Sequence, residues 1–455
     1  MKQQENFTQG RIFSPLIRFA LPVLLALLLQ AMYGAVDLMV VGQFASAADV
    51  SAVSTGTQIM HSMTVVITGL AMGLTVLVGR RIGEGRQQEA GTIVAAGIWL
   101  FAVLAVLLSV LMVCGSRLLC QIMQAPPEAF SQTVDYVWIS SAGMVFIVAY
   151  NLVGGIFRGI GDSKIPLLTV AIACVLNIFG DLLLVAVFQM GAAGAAIATV
   201  FAQAVSVVLS ILIIRRRQLP FIFSVKQIRF HKHIVKDVLF LGIPIALQDL
   251  LVSMSFLVLL AIVNSLGLIA SAGVGVAEKL CAFVMLVPSA YMQSMSAFVA
   301  QNMGAGKPDR ANKALLYGIA SSLVVSVVIA WLSFFHGDLL AGIFAKDPQV
   351  IAAAAEYLKA YAIDCLLTSF LFCFIGYFNG CGNTVFVMMQ GLIGAFGVRI
   401  PVSWLMSRRA TVSLFHIGLA TPASTIVQIL LCGAFFLLVL RRRKKTVATT
   451  PSDAL

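Results

Sequence analysis

Residues 155–163 read GIFRGIGDS, and residues 376–384 read GYFNGCGNT. The two stretches share the glycines and the aromatic, 221 residues apart. The same spacing, 221–222, recurs on both sides of them. ALP at 20–22 matches GIP at 242–244, VVGQF at 40–44 matches IVNSL at 262–266, and VGRRIGEGR at 78–86 matches VAQNMGAGK at 299–307. Chance does not hold one offset over about 140 residues, so the chain is an internal duplication.

What is duplicated follows from composition. The 455 residues are 60% hydrophobic and 11% charged, with a mean hydropathy of +1.01. A soluble chain is about a quarter charged, so this reads as a polytopic membrane protein. A bilayer core of about 30 Å takes about 20 apolar helical residues. Twelve such runs are predicted, at about 14–37, 50–78, 90–113, 131–157, 164–188, 191–214, 234–260, 270–299, 311–335, 352–378, 384–406 and 414–440. The expected fold is therefore an all-α membrane protein of twelve transmembrane helices in two six-helix lobes. Six is even, so both copies enter the membrane the same way, as parallel repeats. The lobes are expected at 1–214 and 234–440, joined by a basic linker at 215–233 and followed by a tail at 441–455. A cavity between two such lobes is the natural place for cargo.

Charge fixes the expected orientation. With the N-terminus inside, the cytoplasmic segments hold 23 of the 30 Lys and Arg, among them Arg80, Arg81, Arg86, Arg215, Arg216, Arg217 and Arg441 to Lys445. Both termini are then cytoplasmic, although Arg408 and Arg409 dissent locally. The net charge of +12 thus reads as topology and attraction to anionic lipid. No basic face is interleaved with aromatics, and no nucleic-acid partner is expected. The opening MKQQENFTQGRI lacks an apolar core and a cleavage site, so no signal peptide is expected. The eight cysteines form no CxxC pair and read as packing residues. No HExxH or paired catalytic Asp motif appears, so the chain is not read as an enzyme, and no cofactor is expected.

Against this apolar background a few acids stand out in the spans: Asp37, Asp181, Asp249, Glu278 and Asp364. A charged side chain at the bilayer centre costs roughly 2.5–3.5 kcal/mol on insertion scales. It persists where it faces a cavity, finds a partner or carries a proton. In VLNIFGDLLL (175–184) Asn177 and Asp181 lie four residues apart and share a helix face. At ~1.5 Å per residue, Asp181 lies roughly 26 Å up the fifth span and Asn177 roughly 20 Å. Asp37 lies near the outer end of the first span, and Thr199 about 12 Å below the outer surface in the sixth. The four are expected to meet in the outer half of the first lobe. Their hard oxygens suit a proton network or Na⁺. The same offset places Leu259, Val398 and Val402 at the matching points of the second lobe, so the acid cluster is not duplicated.

Weaker candidates are His61 in the second span, Asp249, Asp364 with Tyr361 three residues before it, and Glu278, expected to pair with Lys279. Pro22 in the first span, with Pro244 as its repeat mate, is a candidate hinge.

The loops VGRRIGEGR and VAQNMGAGKPDRANKA, together with FRGIGDSKIP, resemble the hallmarks of the multidrug and toxic compound extrusion (MATE) family over nearly the whole chain. Their glycines allow tight turns. No GKS or GKT follows, so they are not phosphate loops. The resemblance implies a bacterial cytoplasmic-membrane antiporter, a monomer, that exports amphipathic, often cationic drugs by alternating access, driven by H⁺ or Na⁺. It implies a first-lobe cation site at Asp37, Asn177, Asp181 and Thr199. In another branch the site lies in the second lobe, but that branch's acids fall here at Val252 and near Thr368. A flippase of a lipid-linked precursor, also within the superfamily, is the alternative.

Overall fold

The computed structural model describes residues 7–216, 219–221, 223–409 and 412–449, with side chains as far as Arg441. Lys2, Arg217 and residues 450–455 of the expected tail lie outside the described residues. Those described form helices joined by short turns. Eleven helical segments are long and apolar enough to cross a bilayer, and one bent pair supplies a twelfth.

In chain order the helices are α1 (Phe13–Phe44), α2 (Ala47–Gly83), α3 (Gln87–Ile122), α4 (Phe130–Ala142), α5 (Met144–Gly159), α6 (Lys164–Asp181) and α7 (Gly191–Arg216). There follow α8 (Lys232–Asn264), α9 (Leu268–Val284), α10 (Leu286–Gly304), α11 (Pro308–Phe335), α12 (Gly337–Gly342) and α13 (Pro348–Cys381). The chain ends with α14 (Thr384–Leu392), α15 (Ile400–Ser407), α16 (Leu414–Gly418) and α17 (Ala420–Thr449).

The expected continuous span 131–157 needs correction. It is two helices, α4 and α5, that meet at Gly143 with a bend of 51°. The reason is packing: a Cβ on Gly143 would lie 2.4 Å from Val200, so the break lets α7 approach closely. The first span, by contrast, runs unbroken through Pro22.

Contacts cluster into two compact units. One comprises Met1–Leu250, Ser289–Gly318 and Gly376–Val385; the other comprises Leu251–Pro288, Ile319–Ile375 and Phe386–Leu455. The first has a core around Ile67, Leu74, Val78, Phe101, Met144 and Phe157. Outward, α3 exposes Val106, Leu107, Val110 and Leu111, each more than half accessible. Such a stripe suits acyl chains, since lipid is as apolar as the side chains themselves.

Within this unit α2 and α10 touch backbone to backbone. A Cβ on Gly83 would sit 2.0 Å from the carbonyl oxygen of Gln301, and one on Gly304 would sit 2.0 Å from that of Arg80. Gly83 and Gly304 are repeat mates, and so are Arg80 and Gln301. The contact is therefore reciprocal, as a two-fold relation between parallel repeats requires. It also explains why both glycine motifs end where they do: only hydrogen fits.

The same unit holds the N-terminal segment. Arg310 Nε donates to the Phe7 carbonyl (2.8 Å), Nη1 to that of Gly10 (2.6 Å), and Nη2 to those of Gln9 (2.8 Å) and Arg11 (3.0 Å). Lys307 donates to the Thr8 carbonyl (2.8 Å) and Asn302 to that of Phe7 (3.2 Å). The Phe7 ring is buried against Phe19 and Phe298.

The second unit packs around Tyr357, Cys281, Val274, Leu414 and Ile417. Two π-helical turns interrupt the helices after the GIFRGIGDS and GYFNGCGNT motifs. One, Leu182–Val187, begins straight after Asp181; the other, Ile393–Arg399, ends on Arg399. A π turn inserts one residue into the helical register. Beyond position 399 the repeat offset is therefore 222. The counterparts of Asn177 and Asp181 are Arg399 and Ser403, not Val398 and Val402. Burial agrees, because Asn177, Asp181, Arg399 and Ser403 are all buried, whereas Val398 and Val402 are not.

Candidate cation site

The four residues singled out in the first lobe converge within the first unit. Asp37 on α1, Asn177 and Asp181 on α6 and Thr199 on α7 come together through small residues that let the helices approach. On α6, Gly180 faces Ala198, where a Cβ would lie 2.9 Å from the alanine methyl. Gly143 does the same for Val200. These two glycines bracket Thr199 and allow its hydroxyl to reach α1.

A hydrogen-bonded chain results. Asn177 Nδ2 donates to Thr199 Oγ1 (3.2 Å), and Thr199 Oγ1 donates to Asp37 Oδ2 (3.1 Å). The buried Asp181 carboxyl is an electrostatic neighbour of the Asp37 carboxyl. Asp37 is 5% exposed and Asp181 0%, so neither lies in open water. Four oxygens remain without a hydrogen-bond partner: Asp37 Oδ1, Asn177 Oδ1 and both carboxyl oxygens of Asp181. Two buried carboxylates that sense each other's charge repel, and a proton or a metal cation bound there relieves that repulsion. Hard oxygen ligands of this kind suit Na⁺ as well as H⁺.

Beside the site lies a cavity of about 20 Å³ lined by Tyr33, Tyr150, Asn177, Thr199, Ala202 and Gln203, among others. That is room for about one water molecule. Tyr150 accepts a hydrogen bond from Gln30. On the other side, Tyr136 bonds Thr57 (3.2 Å), and its ring fills the space over Gly56. Sequence reasoning missed Tyr33, Tyr136, Tyr150, Gln30 and Gln203. The two glutamines carried a usable signal, since amides are rare in apolar spans; the tyrosines carried none.

The weaker candidates separate from this cluster. His61 is exposed on α2, and Asp249 is half-buried on α8. Asp364 and Glu278 belong to the second unit. Asp364 is buried and accepts a hydrogen bond from Thr425 (2.6 Å). The expected pairing of Glu278 with Lys279 does not form: Lys279 is exposed, while Glu278 Oε1 is buried without a partner. Adjacent residues on a helix point about 100° apart, so they do not face each other.

One consequence is testable at Gly180. Gly180→Val is expected to push α7 away, at a cost of about 1–3 kcal/mol for overpacking, and to break the Thr199–Asp37 bond. Dye efflux should fall several-fold while membrane content, read by immunoblot, holds. Gly180→Ala should be milder.

The MatE family model matches residues 22–183 and again 244–405. The chain is 25% identical over 431 residues to the probable multidrug resistance protein YpnP of Bacillus subtilis (strain 168), covering 94% of this chain and 95% of the relative. It is 27% identical over 376 residues to a FAD transporter of Shewanella oneidensis, covering 80% of each. Its fold is similar to that of an outward-facing multidrug resistance MATE family transporter of the MOP superfamily, with a TM-score of 0.91 at 19% identity over 98% of this chain and 99% of that one.

Proposed function

Because the chain belongs to the MatE family and is a multi-pass membrane protein, we propose that it is a multidrug efflux antiporter. It exports amphipathic, often cationic compounds across a bacterial cytoplasmic membrane in exchange for H⁺ or Na⁺. The observation that supports this most is the set of four unpartnered oxygens in the Asp37–Asn177–Asp181–Thr199 cluster. Similarity to YpnP, a probable multidrug resistance protein, supports the cargo class.

In the proposed cycle the cation enters from outside and neutralises the Asp37–Asp181 pair. Asp37 and Asp181 hold the charge, Thr199 and Asn177 orient the Asp37 carboxyl, and the adjoining cavity admits water for hydration and release. Asp37 sits on the same unbroken helix as Pro22. The proline removes one backbone bond there, so charging or neutralising Asp37 bends α1 about that point and exchanges cation for cargo. Export is driven only if the cation binds the two facings with different free energy.

A flippase of a lipid-linked precursor would need cations to hold a pyrophosphate. Here no Lys or Arg donates to the Asp37–Asp181 pair among the described residues, which favours the cation reading.

The test is dye efflux in proteoliposomes under imposed gradients. An inward Na⁺ or pH gradient should accelerate ethidium release, and collapse of that gradient should stop it. Release indifferent to both gradients would overturn the coupling.

A further inference from the structure

The second unit holds a charge that the cation reading does not use. Arg399 is 4% exposed and permanently ionised. A buried charge is costly unless it is paired. Its Nη1 donates to Ser255 Oγ (2.8 Å), and its guanidinium carbon stands 4.0 Å from the Phe256 ring centroid. Its Nε has no partner. No ion pair joins it directly to Asp364 or Glu278 among the described residues; the buried Asp364, which accepts a hydrogen bond from Thr425, is an electrostatic neighbour that balances part of its charge and leaves its Nε unmet.

Other polar groups nearby are equally unmet. Tyr357, fully buried, has Glu278, Arg399 and Asp364 as electrostatic neighbours. Its hydroxyl makes no hydrogen bond, and neither do Glu278 Oε1 and Thr421 Oγ1. Native interiors leave few such groups unsatisfied, and those that remain call for a water, an ion or a ligand. Register gives a second, independent pointer. The π turn Ile393–Arg399 ends on this arginine, and such turns gather at functional sites. It places a fixed cation at the repeat position where the first unit holds Asn177, a member of the cation cluster.

We propose that Arg399, with Tyr357 and Glu278, forms a second binding site within this unit that takes the carboxylate of an amphoteric cargo. The guanidinium fork and the phenol hydroxyl receive the carboxylate, and Glu278 receives the cargo's amine. Guanidinium and carboxylate match geometrically and make charge-assisted bonds about twice as strong as neutral ones. The site deepens the export reading and rests on it: carboxylate-bearing compounds join the permanent cations as cargo.

The experiment uses the full-length purified protein and two probes that differ only in the carboxylate, rhodamine 110 and its methyl ester, read by fluorescence anisotropy. Wild type is expected to bind the free acid about tenfold more tightly than the ester, the worth of one charge-assisted contact. Arg399→Gln should abolish that preference by weakening acid binding but not ester binding, and Arg399→Lys should restore most of it. Should the Gln variant not fold, Tyr357→Phe, which removes only the phenol oxygen, should weaken acid binding several-fold and spare the ester. Absence of an acid-over-ester preference in the wild type, its survival in Arg399→Gln, or equal weakening of both probes would overturn the proposal. Binding needs no gradient, so its failure is distinct from failure of coupled efflux in proteoliposomes.

Discussion

Asp181→Asn is expected to cut gradient-driven export of a cationic dye by about tenfold or more, the scale of a typical coupling free energy, while the protein stays in the membrane. The amide keeps the shape of the side chain and loses the ability to carry charge or a proton. The sign of the stability change separates a coupling role from a structural one. Both oxygens of Asp181 are buried and unpartnered, so the acid makes no hydrogen bond whose loss would weaken the fold, and its removal relieves a desolvation penalty. The thermal midpoint in detergent should therefore hold or rise. Asp37→Asn should behave alike for export but lose part of the Thr199 bond. Full export by Asp181→Asn, or a lowered midpoint with export reduced only in proportion to protein lost, would remove the residue from the mechanism.

The second large effect is expected at Gly83. Gly83→Val places side-chain carbon where the Gln301 carbonyl already lies, 2.0 Å from the ideal Cβ. The obstacle is backbone, which cannot rotate aside as a side chain can. Separating α2 from α10 should cost at least the ~1–3 kcal/mol of ordinary overpacking. It should also lower the thermal midpoint by several degrees and abolish export. Gly304→Val should match it, because the contact is reciprocal. The double variant should lose less than the sum of the two, since the first change has already parted the helices and neighbouring sites are not additive. Strict additivity would mean that the two glycines act in separate contacts.

The architecture was legible because duplication, hydropathy and glycine spacing all point the same way. The burial of polar side chains around Asn177 was legible for a narrower reason. Asn177 and Asp181 at i and i+4 in an apolar run admit one shared face, and helix rise alone brought Asp37 and Thr199 near their level. What escaped has physical causes. The break at Gly143 lies in an apolar stretch whose composition does not change, and only the proximity of Val200 shows why the helix parts there. The π turn ending on Arg399 adds one residue without altering hydropathy. Counting by a fixed offset therefore selected Val398 and Val402 and passed over the arginine beside them. Glu278 and Lys279 read as a pair only if adjacency in sequence is taken for adjacency in space. Tyr33, Tyr136 and Tyr150 were invisible because an aromatic in a span gives no sign of what its hydroxyl will meet.

The hold of Arg310 on the carbonyls of Phe7, Gln9, Gly10 and Arg11 bears on how the molecule is handled. A purification tag or fluorescent fusion placed before Met1 would hang only six residues from a segment whose backbone oxygens are already committed. Its drag would fall on that anchorage first.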